Sequence, residues 1–266
     1  MDHKSTISIA TATYNESSNI NRFLKSLVDW VDEIVICDGE SSDDTAKLAS
    51  KYSKVKIIST TNKPNFHINK QIAIDACKCN WILQLDADEI VTPELKKEII
   101  SILSQPSVKE NGFWIKRKNF FLGQFLKKGG AYPDPTLRLY KNGKGKLPCK
   151  SVHEQAQVDG NVGFLKNDLA HYSDPSFTRY LMRNNRYTSV IAKELEQQHV
   201  SLGPISFINF YFIKPIFRFL QIYLRHRGYV DGFPGFVYAF YSALVYPAAY
   251  TKYWETIKTN QEQYFL

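Results

Sequence analysis

The sequence lacks the cysteine patterns of a disulfide-stabilised secreted domain and of a zinc or thiol-redox site. Its four cysteines, Cys37, Cys77, Cys79 and Cys149, follow neither a disulfide-framework spacing nor a C-x-x-C spacing. The N-terminal residues contain no basic segment followed by an apolar core, so no secretory signal peptide is predicted. We therefore expect reduced thiols and a cytoplasmic protein.

Acidic residues are scarce in one segment of the chain. Residues 109–150 contain eleven Lys and Arg but only two acids, Glu110 and Asp134. The whole chain has 34 Lys and Arg against 26 Asp and Glu, so this segment accounts for all of the net charge of +8. Such a basic segment predicts an anionic partner without identifying it.

The chain has no internal repeat and no low-complexity segment, and 44% of its 266 residues are hydrophobic, which excludes a disordered or fibrous protein. Strand-like runs at 6–13, 33–37, 55–59 and 81–85 alternate with segments of helical periodicity. This alternation predicts an α/β fold, Rossmann-like, with a mostly parallel sheet and helices on both faces. Short strand-like segments from Gly112 to about His171 predict added β-structure.

Polar side chains directly follow three of the predicted strands, at 14–16, at Asp38 and at 86–88. The carboxyl ends of parallel strands meet at one edge of a sheet, where ligands bind. Asp86 and Asp88, separated by Ala87, can share one divalent cation that also binds phosphate oxygens; the alternative is a solvated turn or a helix cap. Asp38 can accept hydrogen bonds from a base or ribose, or simply form a turn.

The C-terminal third is rich in aromatic residues. The segment 204–227 predicts a helix, kinked at Pro215, with Lys214, Arg218, Gln221 and Arg225 on one narrow polar stripe. The uncharged run 233–250 contains prolines and tyrosines that disfavour an ordinary transmembrane span. Three readings stay open for this tail: an interfacial helix on a membrane, which we favour, packing within the protein or an oligomer, and a true span.

Several motifs occur together and in order: ATYNES (12–17), IVICDGESSDDT (34–45), Lys70 within HINKQIA, and WILQLDADE (81–89). Together they resemble the inverting family 2 glycosyltransferases of GT-A fold. The sequences RLY (138–140), VHE (152–154), the His171 region and RNNRYT (183–188) are especially similar to the branch that acts on lipopolysaccharide core or lipid-linked acceptors. The resemblance covers about residues 5–190 closely and departs at Glu40, where the family more often has Gly or Ser.

The resemblance implies a GT-A catalytic domain over 1–190, with a nucleotide-sugar half (about 1–105) and an acceptor half (about 106–190), followed by a helical, aromatic-rich extension over 191–266. It also implies a UDP-sugar donor and a divalent cation, Mn²⁺ or Mg²⁺. The nucleotide-sugar residues would be Thr13, Tyr14, Glu16, Asp38, Lys70, Asp86 and Ala87. Asp88 would be the direct metal ligand, and Asp86 would lie near both the metal and the ribose.

Direct displacement of the nucleotide requires a base that takes the proton of the acceptor hydroxyl, and Asp or Glu suits this task. Glu154 is the first candidate for this catalytic role and Asp134 the second, while an ordinary surface acid is the alternative for Glu154. His153 and His171 are candidate metal ligands or diphosphate contacts, or hydrogen-bonded structural residues. Arg138, with the basic segment, is a candidate for binding an anionic acceptor.

Two other function classes compete with glycosyl transfer. A sugar-phosphate nucleotidyltransferase would need a glycine-rich phosphate loop near the start, but residues 5–20 contain no glycine. A non-catalytic binder of nucleic acid or anionic glycan would use residues 109–150, in which the segment 113–121 interleaves aromatics with cations. We expect an enzyme that does not bind nucleic acid and lies peripherally on the inner face of the cell membrane; a homo-oligomer stays open.

Overall fold

A computed structural model describes residues 5–150 and 154–263 of the chain. The chain divides into two compact units: the first contains the residues up to Lys118 and those from Asp134 to His171, and the second contains residues 119–133 and those from Tyr172 onward. Residue 190, where the sequence predicts the end of the catalytic domain, lies inside a helix of the second unit.

Strands and helices alternate in the first part of the first unit, as the periodicity predicts. They are β1 (Ile7–Thr13), α1 (Ser17–Lys25), β2 (Glu33–Asp38), α2 (Thr45–Ala49), β3 (Val55–Ser59), α3 (Phe66–Asp75), β4 (Trp81–Gln84), β5 (Glu89–Val91) and α4 (Pro93–Leu103). The later strands are β6 (Gly112–Phe121), β7 (Gln124–Phe125), β8 (Asp134–Lys141), β9 (Gly145–Lys146), β10 (Gln157–Val158) and β11 (Val162–Asp174).

The main sheet is mixed, with strand order β3-β2-β1-β4-β8-β6-β11-β5. The first four strands in this order pair in parallel. Beyond them β8 pairs antiparallel with both β4 and β6, and β5 pairs antiparallel with β11. Parallel pairing requires a long crossover connection, usually a helix, and among the described residues helices lie between strands only before β6. The added β-structure is therefore antiparallel.

Helices cover both faces of the parallel part of the sheet. Successive strand residues point to opposite faces, so Ile9 packs with Phe23 of α1 and Leu95 of α4, whereas Ala10 packs with Ala73 of α3. Helix α1 turns one apolar face to the sheet, since Ile20, Phe23 and Leu24 are all fully buried. The predicted α/β fold with flanking helices is confirmed, but the sheet is mixed and not mostly parallel, because β8 pairs antiparallel with both of its neighbours.

The second unit is mainly helical and rich in aromatic contacts. Its helical segments are α5 (Phe177–Gln197), α6 (Pro204–Ile208), a π-helical turn (Asn209–Ile213), α7 (Lys214–Leu220), a second π-helical turn (Gln221–Arg225), a 3₁₀ turn (Gly228–Asp231), α8 (Gly232–Ala243) and α9 (Val245–Gln263). The predicted helix over 204–227 is thus helical to Arg225. Pro215 lies two residues after the end of the first π-helical turn, which agrees with a local disturbance by proline.

The uncharged run 233–250 is divided between α8 and α9. Within the described ranges, no helix combines the length and the apolar character needed to cross a membrane.

Close backbone packing in the second unit depends on Gly235. A Cβ atom at this position would lie 1.9 Å from the carbonyl oxygen of Gly228 and 3.0 Å from the Cβ of Asp231. Asp231 is itself buried, and its carboxylate accepts the backbone N–H groups of Lys127 and Lys128, each at 2.9 Å. The helix carrying Gly235 and the loop of residues 127–128 therefore share one tightly packed region.

We expect Gly235→Ala to lower the melting temperature, because backbone atoms cannot move aside as a flexible side chain can. Overpacking of this kind costs roughly 1–3 kcal/mol. Thermal unfolding followed by circular dichroism measures the effect. The matched control is Gly203→Ala, whose Cβ would meet only the Ser201 hydroxyl at 3.3 Å. Equal melting temperatures for the two variants would contradict the prediction.

Candidate functional site

A cleft of about 250 Å³ opens at the edge of the sheet where the carboxyl ends of β1, β2 and β4 meet. Six residues of the predicted nucleotide-sugar and metal site line it, together with His171: Thr13, Tyr14, Glu16, Lys70, Asp86 and Asp88. The rest of the lining, Ala12, Asn62, Phe66 and Asn69, was not predicted. The structure therefore brings most of the predicted site residues to one place.

The loop after β1 is held by the loop after β2. The backbone N–H groups of Asn15, Glu16 and Ser17 donate to the side chains of Ser41, Thr45 and Asp43, at 2.9, 2.8 and 3.1 Å. Although desolvation tends to raise it, hydrogen bonds from Thr45 and Ser17 lower the pKa of Asp43 to about 2. These contacts fix the loop that carries Tyr14 and Glu16.

Glu40 in the second loop has a φ of 59°, in the left-handed region that glycine adopts without strain. This conformation gives a physical reason for the glycine that the family often has at this position. A non-glycine residue in the left-handed region costs roughly 1–2 kcal/mol. Glu40 therefore adopts the backbone conformation that glycine would adopt there, at the cost of some local strain.

Asp38 lies at the end of β2, beneath the cleft. It is buried, and its carboxylate accepts hydrogen bonds from the Thr13 hydroxyl at 2.8 Å and from the Ser41 hydroxyl and backbone N–H at 2.7 and 2.9 Å. It fixes both loops and does not itself line the cleft. Its predicted contact with the nucleotide stays a prediction.

Helix α3 presents one continuous face to the cleft and the core. Phe66, Asn69 and Lys70 lie at positions i, i+3 and i+4 and line the cleft, and Ala73 and Ile74 continue the same face into the core. The Lys70 ammonium lies 4.6 Å from the centroid of the Phe66 ring. The first turns of α3 thus supply a buried cation to the cleft.

Asp86 is held between two cations. Its carboxylate forms an ion pair with Lys70 and accepts a hydrogen bond from Nη2 of Arg138 at 2.8 Å. Burial alone would raise the pKa of Asp86, but Lys70 and Arg138 together hold it well below its ordinary value. Asp86 is therefore ionised at neutral pH.

Asp88 is the second carboxylate of the cleft. Its Oδ2 lies 3.6 Å from Nε2 of His171. Burial would raise the pKa of Asp88, and the interaction with His171 outweighs burial and lowers it. Between the two carboxylates, Ala87 is buried and does not line the cleft.

The donor set of the cleft fits a divalent cation that is shared with a ligand. In the described part of the chain, no group of three or more His, Cys, Asp and Glu side chains is arranged to hold a metal by itself. Mg²⁺ commonly binds through one or two carboxylates and completes its coordination with substrate phosphates and water. The ionised carboxylates of Asp86 and Asp88 provide this kind of partial site.

Besides Asp38 and Ala87, the predicted residues Arg138 and Glu154 are not among those that line the cleft. Arg138 is buried behind Asp86, and burial opposes its charge, but Glu89 and Asp86 raise the pKa of its guanidinium. Glu154 lines a separate cavity of about 520 Å³ with Lys146 and Lys150, and its Oε1 accepts the backbone N–H of Lys150 at 2.9 Å. His153 lies outside the described residues, as does Val152 of the same motif.

Sequence reasoning missed Asn69 and Phe66, although both lie within or next to the motif around Lys70. The signal was available in the helical spacing, because residues 66, 69 and 70 share one face. The sequence-based prediction also gave no role to Glu89, which directly follows the DAD sequence (86–88) and is fully buried.

Known proteins resemble the chain over most of its length. Residues 8–156 match the family described as Glycosyl transferase family 2. The "Lipopolysaccharide core biosynthesis glycosyltransferase LpsC" of Rhizobium meliloti (strain 1021) is 29% identical over 241 residues, which are 86% of this chain and 87% of LpsC. A glycosyltransferase of Rickettsia typhi (strain ATCC VR-144 / Wilmington) is 30% identical over 243 residues, which are 87% of this chain and 80% of that protein.

The crystal structure of S. aureus TarS is similar with a TM-score of 0.50 and 16% identity, over 89% of this chain and 55% of that chain; this likeness concerns the fold alone. Family membership decides against the nucleotidyltransferase and the non-catalytic binder. The chain therefore belongs to glycosyl transferase family 2 and is a glycosyltransferase of GT-A fold.

Proposed function

We propose that this glycosyltransferase moves a sugar from a UDP-sugar to a saccharide of a lipopolysaccharide core or another lipid-linked acceptor, with inversion and with the help of Mn²⁺ or Mg²⁺. The observation that carries the proposal is the pair of ionised carboxylates, Asp86 and Asp88, on the wall of a cleft that also contains the Lys70 ammonium. This combination suits a diphosphate with a bound cation.

The donor would lie across the edge of the sheet. Thr13, Tyr14 and Glu16 would contact the nucleotide from the loop after β1, as the family resemblance implies. Asp38 supports this loop from below through its hydrogen bond with Thr13. Lys70, which forms an ion pair with Asp86, also lines the cleft, where an ammonium group can attract the phosphate oxygens.

A bound cation would supply Lewis-acid stabilisation of the charge that develops on the departing diphosphate. Asp88 would bind this cation directly, with Asp86 beside it and His171 as a further candidate contact, given its 3.6 Å separation from Asp88. Glu154 would accept the proton of the acceptor hydroxyl, with Asp134 as the second candidate. Asp134 forms an ion pair of 2.7 Å with Arg117, which disfavours it as a base.

The acceptor assignment is supported by the relative LpsC, whose name assigns it to lipopolysaccharide core biosynthesis. The basic segment 109–150 suits an anionic acceptor. For Arg138, the buried contacts with Asp86 and Glu89 favour a role behind the donor site over direct contact with the acceptor.

We also propose that the helical stretch 204–225 lies on an anionic membrane, on its cytoplasmic face. Many of its apolar side chains are exposed, among them Ile205 at 86% and Phe217 at 64%, whereas Lys214 and Arg218 of the predicted stripe are half-buried. The Lys214 ammonium lies 3.8 Å from the centroid of the Phe210 ring, which is buried. The helical stretch thus turns its apolar side outward, the reverse of a helix that faces only water.

Charge favours a lipid surface as the occupant of this apolar side. Between His199 and Trp254 the only acid is Asp231, which is buried, while Arg225 and Arg227 are exposed. An interfacial helix combines an apolar face with cations in this way, and each cation near an anionic bilayer contributes about 1 kcal/mol.

The first test is Asp88→Asn, which we expect to abolish metal-dependent donor binding and turnover, because a neutral amide binds a divalent cation poorly. Calorimetric titration with UDP and Mn²⁺ measures binding, and release of UDP from UDP-sugars measures turnover. Asp159→Asn is the control, since this exposed acid pairs with Lys144 and does not line the cleft. Unchanged affinity in Asp88→Asn would refute the metal assignment.

The second test separates the two candidate bases. Glu154→Gln should preserve UDP binding and lower the rate of transfer by a factor of about 10² or more, the effect of a missing general base. Asp134→Asn should retain much more activity. If the two variants exchange these results, the base is Asp134.

The third test concerns the membrane. Sedimentation with anionic vesicles should show roughly 30-fold weaker binding for Arg225→Gln combined with Arg227→Gln, from the loss of two contributions of about 1 kcal/mol. Ile216→Ser combined with Phe217→Ser should weaken binding at low and high salt alike, because apolar insertion is insensitive to ionic strength. The control combines Met182→Ser and Val190→Ser, two exposed apolar residues of α5. If the control is affected as strongly as the 216/217 variant, the 204–225 surface is not the membrane contact.

A further inference from the structure

Glu89 is a fully buried charged residue to which the proposed chemistry gives no role. Its exposed fraction is 0%, and it begins β5 directly after the DAD sequence. Its Oε2 accepts the backbone N–H of Asp86 at 2.9 Å, and its Oε1 accepts a hydrogen bond from Nη2 of Arg138 at 2.7 Å. A carboxylate so completely removed from water requires partners of this strength.

Two sets of hydrogen bonds link Glu89 to Asp86, one direct and one through Arg138. The first is the backbone hydrogen bond, which closes the turn that carries both cleft carboxylates. The second passes through Arg138, whose Nη2 contacts Oε1 of Glu89 at 2.7 Å and Oδ2 of Asp86 at 2.8 Å. The same guanidinium nitrogen therefore joins the two carboxylates, and the position of one depends on the other.

A chain of alternating charges anchors this arrangement. In order of contact it contains Lys70, Asp86, Arg138, Glu89, Arg117 and Asp134. Oε1 of Glu89 lies 3.3 Å from Nη1 of Arg117 and 2.7 Å from Nη2 of Arg138, so Glu89 separates two guanidinium groups. Without its charge the two cations would repel each other, and Arg138 would lose the anchor that directs it to Asp86.

We propose that Glu89 is a positioning residue of the donor site, which fixes the Asp86 carboxylate at the cleft through Arg138 and through the backbone of the DAD turn. Glu89 thereby adds a residue to the proposed donor site. The part of the proposal that concerns cation binding rests on the proposed function. Outer groups that orient metal-binding carboxylates typically change metal affinity or activity by 10–100-fold when they are replaced.

Glu89→Gln tests the proposal, because glutamine keeps the size of the side chain and removes its charge. We expect UDP binding in the presence of Mn²⁺ to weaken by roughly 10–100-fold in calorimetric titration. The control is Asp168→Asn. Asp168 lies on β11 of the same sheet, is also largely buried, and also pairs with two cations, Lys116 at 3.6 Å and Lys118 at 2.8 Å.

The control separates positioning from a general loss of stability. Both variants remove the charge of a buried or largely buried carboxylate that contacts two cations, so both should lower the melting temperature. Only Glu89→Gln should weaken the binding of UDP with Mn²⁺. Equal affinity in the wild type and Glu89→Gln, or an equal loss in both variants, would overturn the proposal.

A double-mutant cycle with Arg138→Met tests the route. If Glu89 acts through Arg138, the loss caused by Glu89→Gln should be much smaller in the Arg138→Met background, so that the two effects are not additive. Additive losses would overturn the route through Arg138.

Crystal structures of the wild type and Glu89→Gln distinguish failure of this inference from failure of the proposed donor. If the wild type does not bind UDP with Mn²⁺, the proposed donor is wrong. The position of the Asp86 carboxylate in the two structures still tests whether Glu89 holds it in place. A displaced or rotated Asp86 carboxylate in Glu89→Gln supports positioning by Glu89. An Asp86 carboxylate in the same place and rotamer in both structures refutes it.

Discussion

The buried guanidinium group of Arg138 joins the parallel and antiparallel parts of the first unit. It lies on β8, and the register of β8 with β4 pairs Leu139 with Leu83, so Arg138 comes opposite Gln84 at the end of β4. From there it donates to Gln84 at 2.6 Å and reaches Asp86 on the following turn. A slip of one residue in this register would turn Arg138 to the other face of the sheet and leave Asp86 without this partner. The geometry of the cleft therefore depends on the antiparallel pairing of β4 with β8, a strand that follows the cleft-lining motifs in the sequence.

The part of the fold before β6 could be predicted from the sequence because its two periodicities are distinct. The strands β1 to β4 are short apolar runs followed by polar turns, and α1 and α4 carry apolar residues at helical spacing. Once the strands are parallel, their carboxyl ends must meet, which brings Thr13, Asp86 and Asp88 to one edge without any knowledge of individual contacts. The site was predictable to this extent.

The remaining contacts could not be predicted, because they join residues far apart in the sequence. Arg138 lies 49 residues from Glu89 and 54 from Gln84, and no local pattern relates them. The same limit applies to the stretch 204–225, in which helical spacing identified the stripe of Lys214 and Arg218. Periodicity shows that two faces differ but not which one the rest of the protein covers, and here the half-buried face carries these cations.

The balance of charge in the cleft bears on the proposed use of a cation. Asp86 already has two cationic partners, but Arg138 divides its charge between Asp86 and Glu89, and Lys70 is the cation that lines the cleft beside Asp86. Asp88 has His171 as its neighbour, which contributes a positive charge only when it is protonated. A diphosphate that enters this cleft brings further negative charge close to two ionised carboxylates, and charges of like sign repel more strongly at partly buried groups than in bulk water. A divalent cation between the carboxylates and the phosphates converts this repulsion into attraction, so under the proposed function the same two carboxylates that would repel the donor become the means of binding it.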